Sequence, residues 1–330
     1  MTKRFVVHLV AFLSTICVVA EWGMGEAAPA RVGSGPAERT VSQRAKPQTR
    51  PARRLFPIQW VNRSKELPPG VEHRILRSRC MNRDVGYCVY TPPDYAGSDK
   101  RYPVLYWLHG LPGNELLGRP HAAELHEAIV RKQIPPMIMV LVNGGRGSMY
   151  CDSKDGTIMP DTMIVKELIP YIDGHYRTIA KREARVIEGF SMGGFGALKF
   201  AFKYPELFCS VVGGAPALIE WESMSKRPTI ADRIFGGDGK AFTNEHPATW
   251  LKKNADKIRG KLRIRIVIGD EDGLKPYNDK MCELLDKLKI PYEYEVLKGL
   301  GHSRGKVYKR AGLKGFMFQA ESLAEAEKNQ

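Results

Sequence analysis

From Leu55 onward, short apolar runs recur at roughly even intervals along the chain. They are "YPVLYWLHG" (102–110), "PMIMVLVNGG" (136–145), "ARVIEGFS" (184–191), "FCSVVGGA" (208–215), "LRIRIVIGD" (262–270) and "PYEYEVLKG" (291–299). Most are continuous in Val, Ile and Leu rather than alternating with polar residues, which predicts strands covered on both faces. Between them lie stretches with helical spacing of apolar positions, at 121–132, 161–176, 196–206, 276–289 and 313–329. Strand and helix in regular alternation predict an α/β fold, a mostly parallel sheet with helices on its faces joined by right-handed crossovers. The segment "HRILRSRCMNRDVGYCVYTPPDY" (73–95) has no helix within it and reads as an antiparallel hairpin entering that sheet. In such a sheet ligands bind at the carboxyl ends of the strands. The loop-rich insertions at 111–120, 145–160 and 218–248 are therefore the places to look for a site.

The chain before Leu55 has another character. "MTKR" is basic, "FVVHLVAFLSTICVVA" (5–20) is apolar, and Ala28 and Ala30 are small residues suited to cleavage, so residues 1–30 read as a secretory signal peptide cut after Ala30. An uncleaved anchor is the competing reading; the run is shorter than the about 20 residues of a comfortable span, and His8 interrupts it. Residues 31–54, rich in Arg, Pro, Gly and Ser, bury too little apolar surface to fold and read as a disordered basic linker. Residues 55–330 then form one domain. Of the formal net charge of +15, the linker carries +6 and residues 55–330 carry +9. No zinc spacing, helix-turn-helix pattern or aromatic-studded basic motif accompanies the basic tail, so nucleic acid is not an expected partner. A tether drawn to an anionic envelope or acidic polysaccharide is the better account, with the protein secreted or periplasmic and without stable membrane insertion.

Removing Cys17 with the signal leaves Cys80, Cys88, Cys151, Cys209 and Cys282, an odd number that implies at least one free thiol or an intermolecular pair. Cys80 and Cys88 flank turn-like residues and could face each other across two strands, but spacing does not decide connectivity. His121 and His126 lack the His-Glu-x-x-His pattern, and no Cys/His cluster has metal-site spacing, so neither metal nor cofactor is expected.

The chemistry concentrates in "GFSMG" (189–193), a Gly-x-Ser-x-Gly directly after a strand and before a helix, the context of a nucleophile elbow. A serine hydroxyl attacks only when a base takes its proton, and a carboxylate must orient that base. His302, in "KGLGHSR", is the only histidine beyond His246, which itself reads as a loop residue. Asp270 and Asp272 end the strand "VIGDEDG" and lie between Ser191 and His302, in the Ser, acid, His order of the α/β-hydrolase arrangement. Only one of the two aspartates can serve; the residues alone leave both open. An oxyanion would be held by backbone N–H groups, one from Met192 after the nucleophile and one from Leu111 in "LHGLPGNE". His109, in the same turn, reads as its brace in preference to a second base.

Together, "YPVLYWLHGLPGNE", "GSMYCD" (147–152), "KELIPYIDGHYRT" (166–178), "GFSMGGFGAL" and "GLGHS" resemble the esterase family of α/β hydrolases that includes feruloyl and acetyl-xylan esterases, S-formylglutathione hydrolases and mycolyltransferases. The resemblance spans roughly residues 73–325. It implies a three-layer αβα sandwich, Ser191 as nucleophile, His302 as base, Asp272 as acid, three residues after Gly269, and the Leu111 and Met192 N–H groups as oxyanion hole. It also implies a secreted serine esterase acting on acyl, feruloyl or acetyl esters of carbohydrates through an acyl-enzyme. The alternatives are an acyltransferase with a sugar acceptor, decided by the loops at 145–160 and 218–248, and a non-catalytic carbohydrate-binding protein, which would be expected to have lost one of the three residues. Departures from the family pattern are Glu188 where a small residue is usual, Cys151 where a small hydroxyl residue is common, and "SRGKVY" after His302, which lacks the acidic-aromatic pair frequent in feruloyl esterases.

Overall fold

The hairpin at the start of the domain is β1 (Val71–Ser78) and β2 (Arg83–Tyr90), antiparallel with Ser78 opposite Arg83. The six apolar runs become β3 (Val104–Leu108), β4 (Ile138–Val142), β5 (Arg185–Phe190), β6 (Ser210–Gly214), β7 (Arg263–Gly269) and β8 (Glu293–Leu297). All eight form one sheet in the order β1-β2-β4-β3-β5-β6-β7-β8. Strand β2 meets β4 antiparallel, and every later pairing is parallel. This computed structural model describes residues 57–64 and 66–328, so the segments read as signal peptide and linker lie outside the described residues. The described residues fall within one compact unit, Ala52–Gln330.

The helices are α1 (Arg119–Val130), α2 (Pro160–Thr162), α3 (Ile169–His175), α4 (Met192–Lys203), α5 (Trp221–Ser225), α6 (Pro228–Phe235), α7 (Gly239–Glu245), α8 (Pro247–Lys253), α9 (Ala255–Ile258), α10 (Lys275–Lys287) and α11 (Arg304–Lys328). Successive strand residues point to opposite faces, and the core divides accordingly. Leu105 and Trp107 of β3 pack with Ala122 and Leu125 of α1 and Val307 and Phe316 of α11. Tyr106 and Leu108 pack on the other face with Leu198 and Phe200 of α4 and Met281 and Leu285 of α10. The result is the three-layer αβα sandwich, with α1 and α11 on one side and α4 and α10 on the other.

Two expectations need correcting. The insertion at 218–248 is mostly helical, carrying α5 to α7 and the start of α8. Its apolar residues come in short pieces broken by Pro228, Gly236, Gly237 and Pro247, too short for periodicity to register. The last helix begins at Arg304, nine residues before the expected start, because Gly305, Gly312 and the basic residues between them obscure its apolar face. Among the described residues, Cys80, Cys88, Cys151, Cys209 and Cys282 are all free. Register sets Cys88 opposite His73, whereas Cys80 sits in the turn with its sulfur 3.3 Å from Ser78 Oγ, so the two never meet. Burial pushes the Cys88, Cys151 and Cys282 thiols up to about 12 and Cys209 to about 11, keeping them protonated. Among the described residues no helix is long and apolar enough to cross a membrane.

Candidate active site

Strand β5 ends at Phe190 and α4 begins at Met192, so one residue, Ser191, makes the whole turn. Its backbone adopts φ 59°, ψ −116°, a conformation that costs a non-glycine residue on the order of 1–3 kcal/mol. Three hydrogen bonds hold it there. The Ser191 N–H donates to the Gly214 carbonyl (2.8 Å), and its own carbonyl accepts from the N–H groups of Phe195 (2.9 Å) and Ala217 (3.0 Å). The turn also needs room: a Cβ at Gly193 would stand 2.0 Å from the Leu108 carbonyl oxygen. The glycines around the serine are thus a condition of strand and helix approaching this closely.

Ser191 Oγ lies 2.9 Å from His302 Nε2, and His302 Nδ1 lies 2.7 Å from Asp272 Oδ2. A carboxylate only accepts, so Nδ1 carries the hydrogen and Nε2 is left to accept from the serine hydroxyl. Asp272 is buried at 3% exposure, and its second oxygen accepts from the Leu274 N–H (2.9 Å). Asp270 takes a different part. Its Oδ1 accepts from Gly299 N–H (2.7 Å) and Leu300 N–H (3.3 Å), bracing the loop that carries His302.

Leu111 and Met192 both line the cleft beside Ser191. Met192 opens α4, where an N–H has no carbonyl one turn back to receive it. Among the described residues neither N–H donates a hydrogen bond. The Leu111 turn lies against the serine; a Cβ at Gly110 would be 3.3 Å from Ser191 Cβ. His109 stands behind this turn. Its Nδ1 donates to the Gly110 carbonyl (3.0 Å), its Nε2 accepts from Gly144 N–H (3.2 Å), and burial depresses it to about 4. Neutral and fully engaged, it braces the turn.

Glu188 points to the opposite face of the sheet. Its Oε1 is 3.1 Å from His121 Nε2 on α1, with both side chains at 1% exposure. The His121 ring is stacked between Tyr308 (4.1 Å) and Phe316 (4.4 Å) of α11. Burial alone would depress His121; the carboxylates of Glu188 and Glu124 outweigh it and raise the group above its ordinary value.

In front of the serine is a cleft of about 490 Å³. Leu111, Met149, Ile219, Ile230 and Leu274 supply an apolar wall. Ser223 and Tyr277, whose hydroxyls are 2.9 Å apart, and Arg227 supply a polar one. Sequence reasoning named Leu111 and pointed to the insertions that hold Met149, Ile219, Ser223, Arg227 and Ile230 without singling those out, and it passed over Leu274 and Tyr277 outside the insertions, because tertiary packing alone brings them to the serine.

The fold and the serine turn at the end of a central strand define the molecule as an α/β hydrolase. The family model described as "Putative esterase" matches residues 78–312, and the chain belongs to that esterase family. An esterase of Mycobacterium tuberculosis is 32% identical over 158 residues, which is 47% of this chain and only 34% of that protein's length. The S-formylglutathione hydrolase of Paracoccus denitrificans is 27% identical over 245 residues, covering 69% of this chain and 85% of that protein. Among solved structures, a ferulic acid esterase superposes with a TM-score of 0.67 at 22% identity, over 76% of this chain and 98% of that one, a likeness of fold.

Proposed function

We propose that the protein is an exported serine carboxylic-ester hydrolase acting on acyl and aryl esters of carbohydrates. The observation that carries this reading is the hydrogen-bonded series from Ser191 Oγ through His302 to buried Asp272, at 2.9 and 2.7 Å. Ser191 attacks the ester carbonyl while His302 Nε2 takes the hydroxyl proton, and Asp272 stabilises the imidazolium that forms. The Leu111 and Met192 N–H groups receive the negative charge developing on the carbonyl oxygen. As the tetrahedral intermediate collapses, the C–O bond to the alcohol breaks and His302 returns the proton to the departing oxygen. Water, deprotonated by the same nitrogen, then attacks the acyl-Ser191 ester and releases the acid.

The cleft supports the substrate class. Its apolar wall suits an acyl or aryl group, and the Ser223 and Tyr277 hydroxyls offer both donors and acceptors to the hydroxyls of a sugar. Export rests on the N-terminal apolar run. The test is release of nitrophenol from p-nitrophenyl acetate by the wild type and by Ser191→Ala. A burst equal to the enzyme concentration, absent from the variant, is expected; equal rates in the two proteins would overturn the assignment. Acetylated or feruloylated oligosaccharides should then be cleaved with a higher kcat/KM than the nitrophenyl ester, and no gain would remove the carbohydrate part.

A further inference from the structure

We infer that the cleft selects esters carrying a carboxylate and that Arg227 recognises this group. The inference rests on the ester-hydrolase reading and narrows its substrate class. Besides Asp272 and His302, which are engaged with each other, Arg227 is the only charged side chain lining the cleft among the described residues. Its guanidinium makes no ion pair or hydrogen bond with any described residue. The neighbouring cations do: Lys226 pairs with Glu222 at 3.3 Å and Lys280 with Glu220 at 2.6 Å.

The position is also electrostatically unfavourable. Arg227 is the N-cap residue of α6 and makes no side-chain capping bond. A cation there opposes the positive end of the helix, at a cost of about 0.3–1 kcal/mol, where Ser, Thr, Asp or Asn would stabilise it. The backbone of Arg227 is nonetheless well held, its N–H donating to the Met224 carbonyl (2.8 Å) and its carbonyl accepting from Ile230 and Ala231 (both 2.9 Å). Arg227 is exposed, caps no N–H of its helix and borders the cleft, so its guanidinium is free to receive an anionic group of a bound ester. A planar guanidinium matches a carboxylate with two parallel hydrogen bonds. No carboxylate of the protein competes within the cleft, because both Asp272 oxygens already accept, from His302 and Leu274. The substrate carboxylate can belong to the alcohol, as in a uronate sugar, or to the acyl group, as in a dicarboxylic half-ester.

Two ester pairs distinguish these sources: 4-acetoxybenzoate with its methyl ester for the leaving-group side, and mono-4-nitrophenyl glutarate with its methyl ester for the acyl side. In one pair the wild type should favour the anionic member through a lower KM. The anionic-to-neutral ratio of kcat/KM should fall roughly tenfold in Arg227→Gln, with Arg227→Lys in between and the ratio shrinking as salt rises. Ratios unchanged by Arg227→Gln in both pairs would overturn the inference while leaving ester hydrolysis standing. Calorimetric binding of the same esters to Ser191→Ala, with and without Arg227→Gln, decides the charge assignment without turnover. Failure of the wild type to cleave any of the four esters would count against the hydrolase reading alone, and equal binding of anionic and neutral members would sink the carboxylate site.

Discussion

At the scale of single residues, the two neighbouring aspartates are separated by what they face. Asp272 Oδ2 meets His302 Nδ1 at 2.7 Å, whereas Asp270 meets only backbone N–H groups of the histidine loop. Asp272→Asn should therefore lower kcat on p-nitrophenyl acetate by about 10⁴, because an amide in that place leaves the imidazole in the wrong tautomer. Asp270→Asn should instead lower the melting temperature slightly, because the amide oxygen still accepts from Gly299 and Leu300 and only the charge is lost, about 1 kcal/mol, and reduce kcat by less than tenfold. Reversal of the two effects would exchange the roles. Gly193→Ala tests the turn itself. With Leu108 O 2.0 Å from the new methyl, the strand and helix must separate, and a loss of about 1–3 kcal/mol in urea unfolding is expected. Ser191 and His302 were legible because a nucleophile elbow and a lone downstream histidine leave marks in sequence. Arg227 was not, since a cation before a proline says nothing about which cleft it borders.

At the scale of elements, Glu188 ties strand β5 to the two helices behind it. The His121 ring that it meets is stacked between Tyr308 and Phe316, so β5, α1 and α11 meet at one buried pair on the strand that leads to Ser191. Removing one partner strands a buried charge, which costs about 3–5 kcal/mol, whereas replacing both with apolar groups of similar size is often near neutral. His121→Leu and Glu188→Leu should each be strongly destabilising in urea unfolding. The double variant should be less so than either, and simple additivity would dismiss the pair as an independent contributor. Sequence marked Glu188 as out of pattern but offered no partner, because His121 is 67 positions away and only packing brings the two together. The central strands were plain for the opposite reason, being continuous apolar runs whose observed limits fall inside the expected ones.

At the scale of the whole molecule, buried His109 and His121 and the half-buried His246 couple the fold to pH. Burial depresses both His109 and His246 to about 4, against about 6.5 in an unfolded chain. Between those values the unfolded chain binds more protons, so the stability present above about pH 6.5 is lost as pH falls toward 4. His121, raised in the fold, runs the other way, its contribution being present below its unfolded value and lost as pH rises through the folded one. The share of His109 is about 3 kcal/mol, and it is isolated by comparison. Urea unfolding of wild type and His109→Gln should converge as pH is lowered from 7 to 4, and parallel curves would assign the acid sensitivity elsewhere. The layered fold was readable from the alternation of strands and helices, whereas the helical character of 218–248 was not, since its pieces are too short to show a period. That segment has a further consequence. Ser191 and Asp272 stand at the ends of sheet strands and His302 on the loop after one, whereas Ser223, Arg227 and Ile230 all come from one stretch of chain between β6 and β7. One wall of the cleft is thus carried by an insertion that contributes neither Ser191, Asp272 nor His302, so exchanging residues 218–248 would reshape that wall while leaving those three side chains in place.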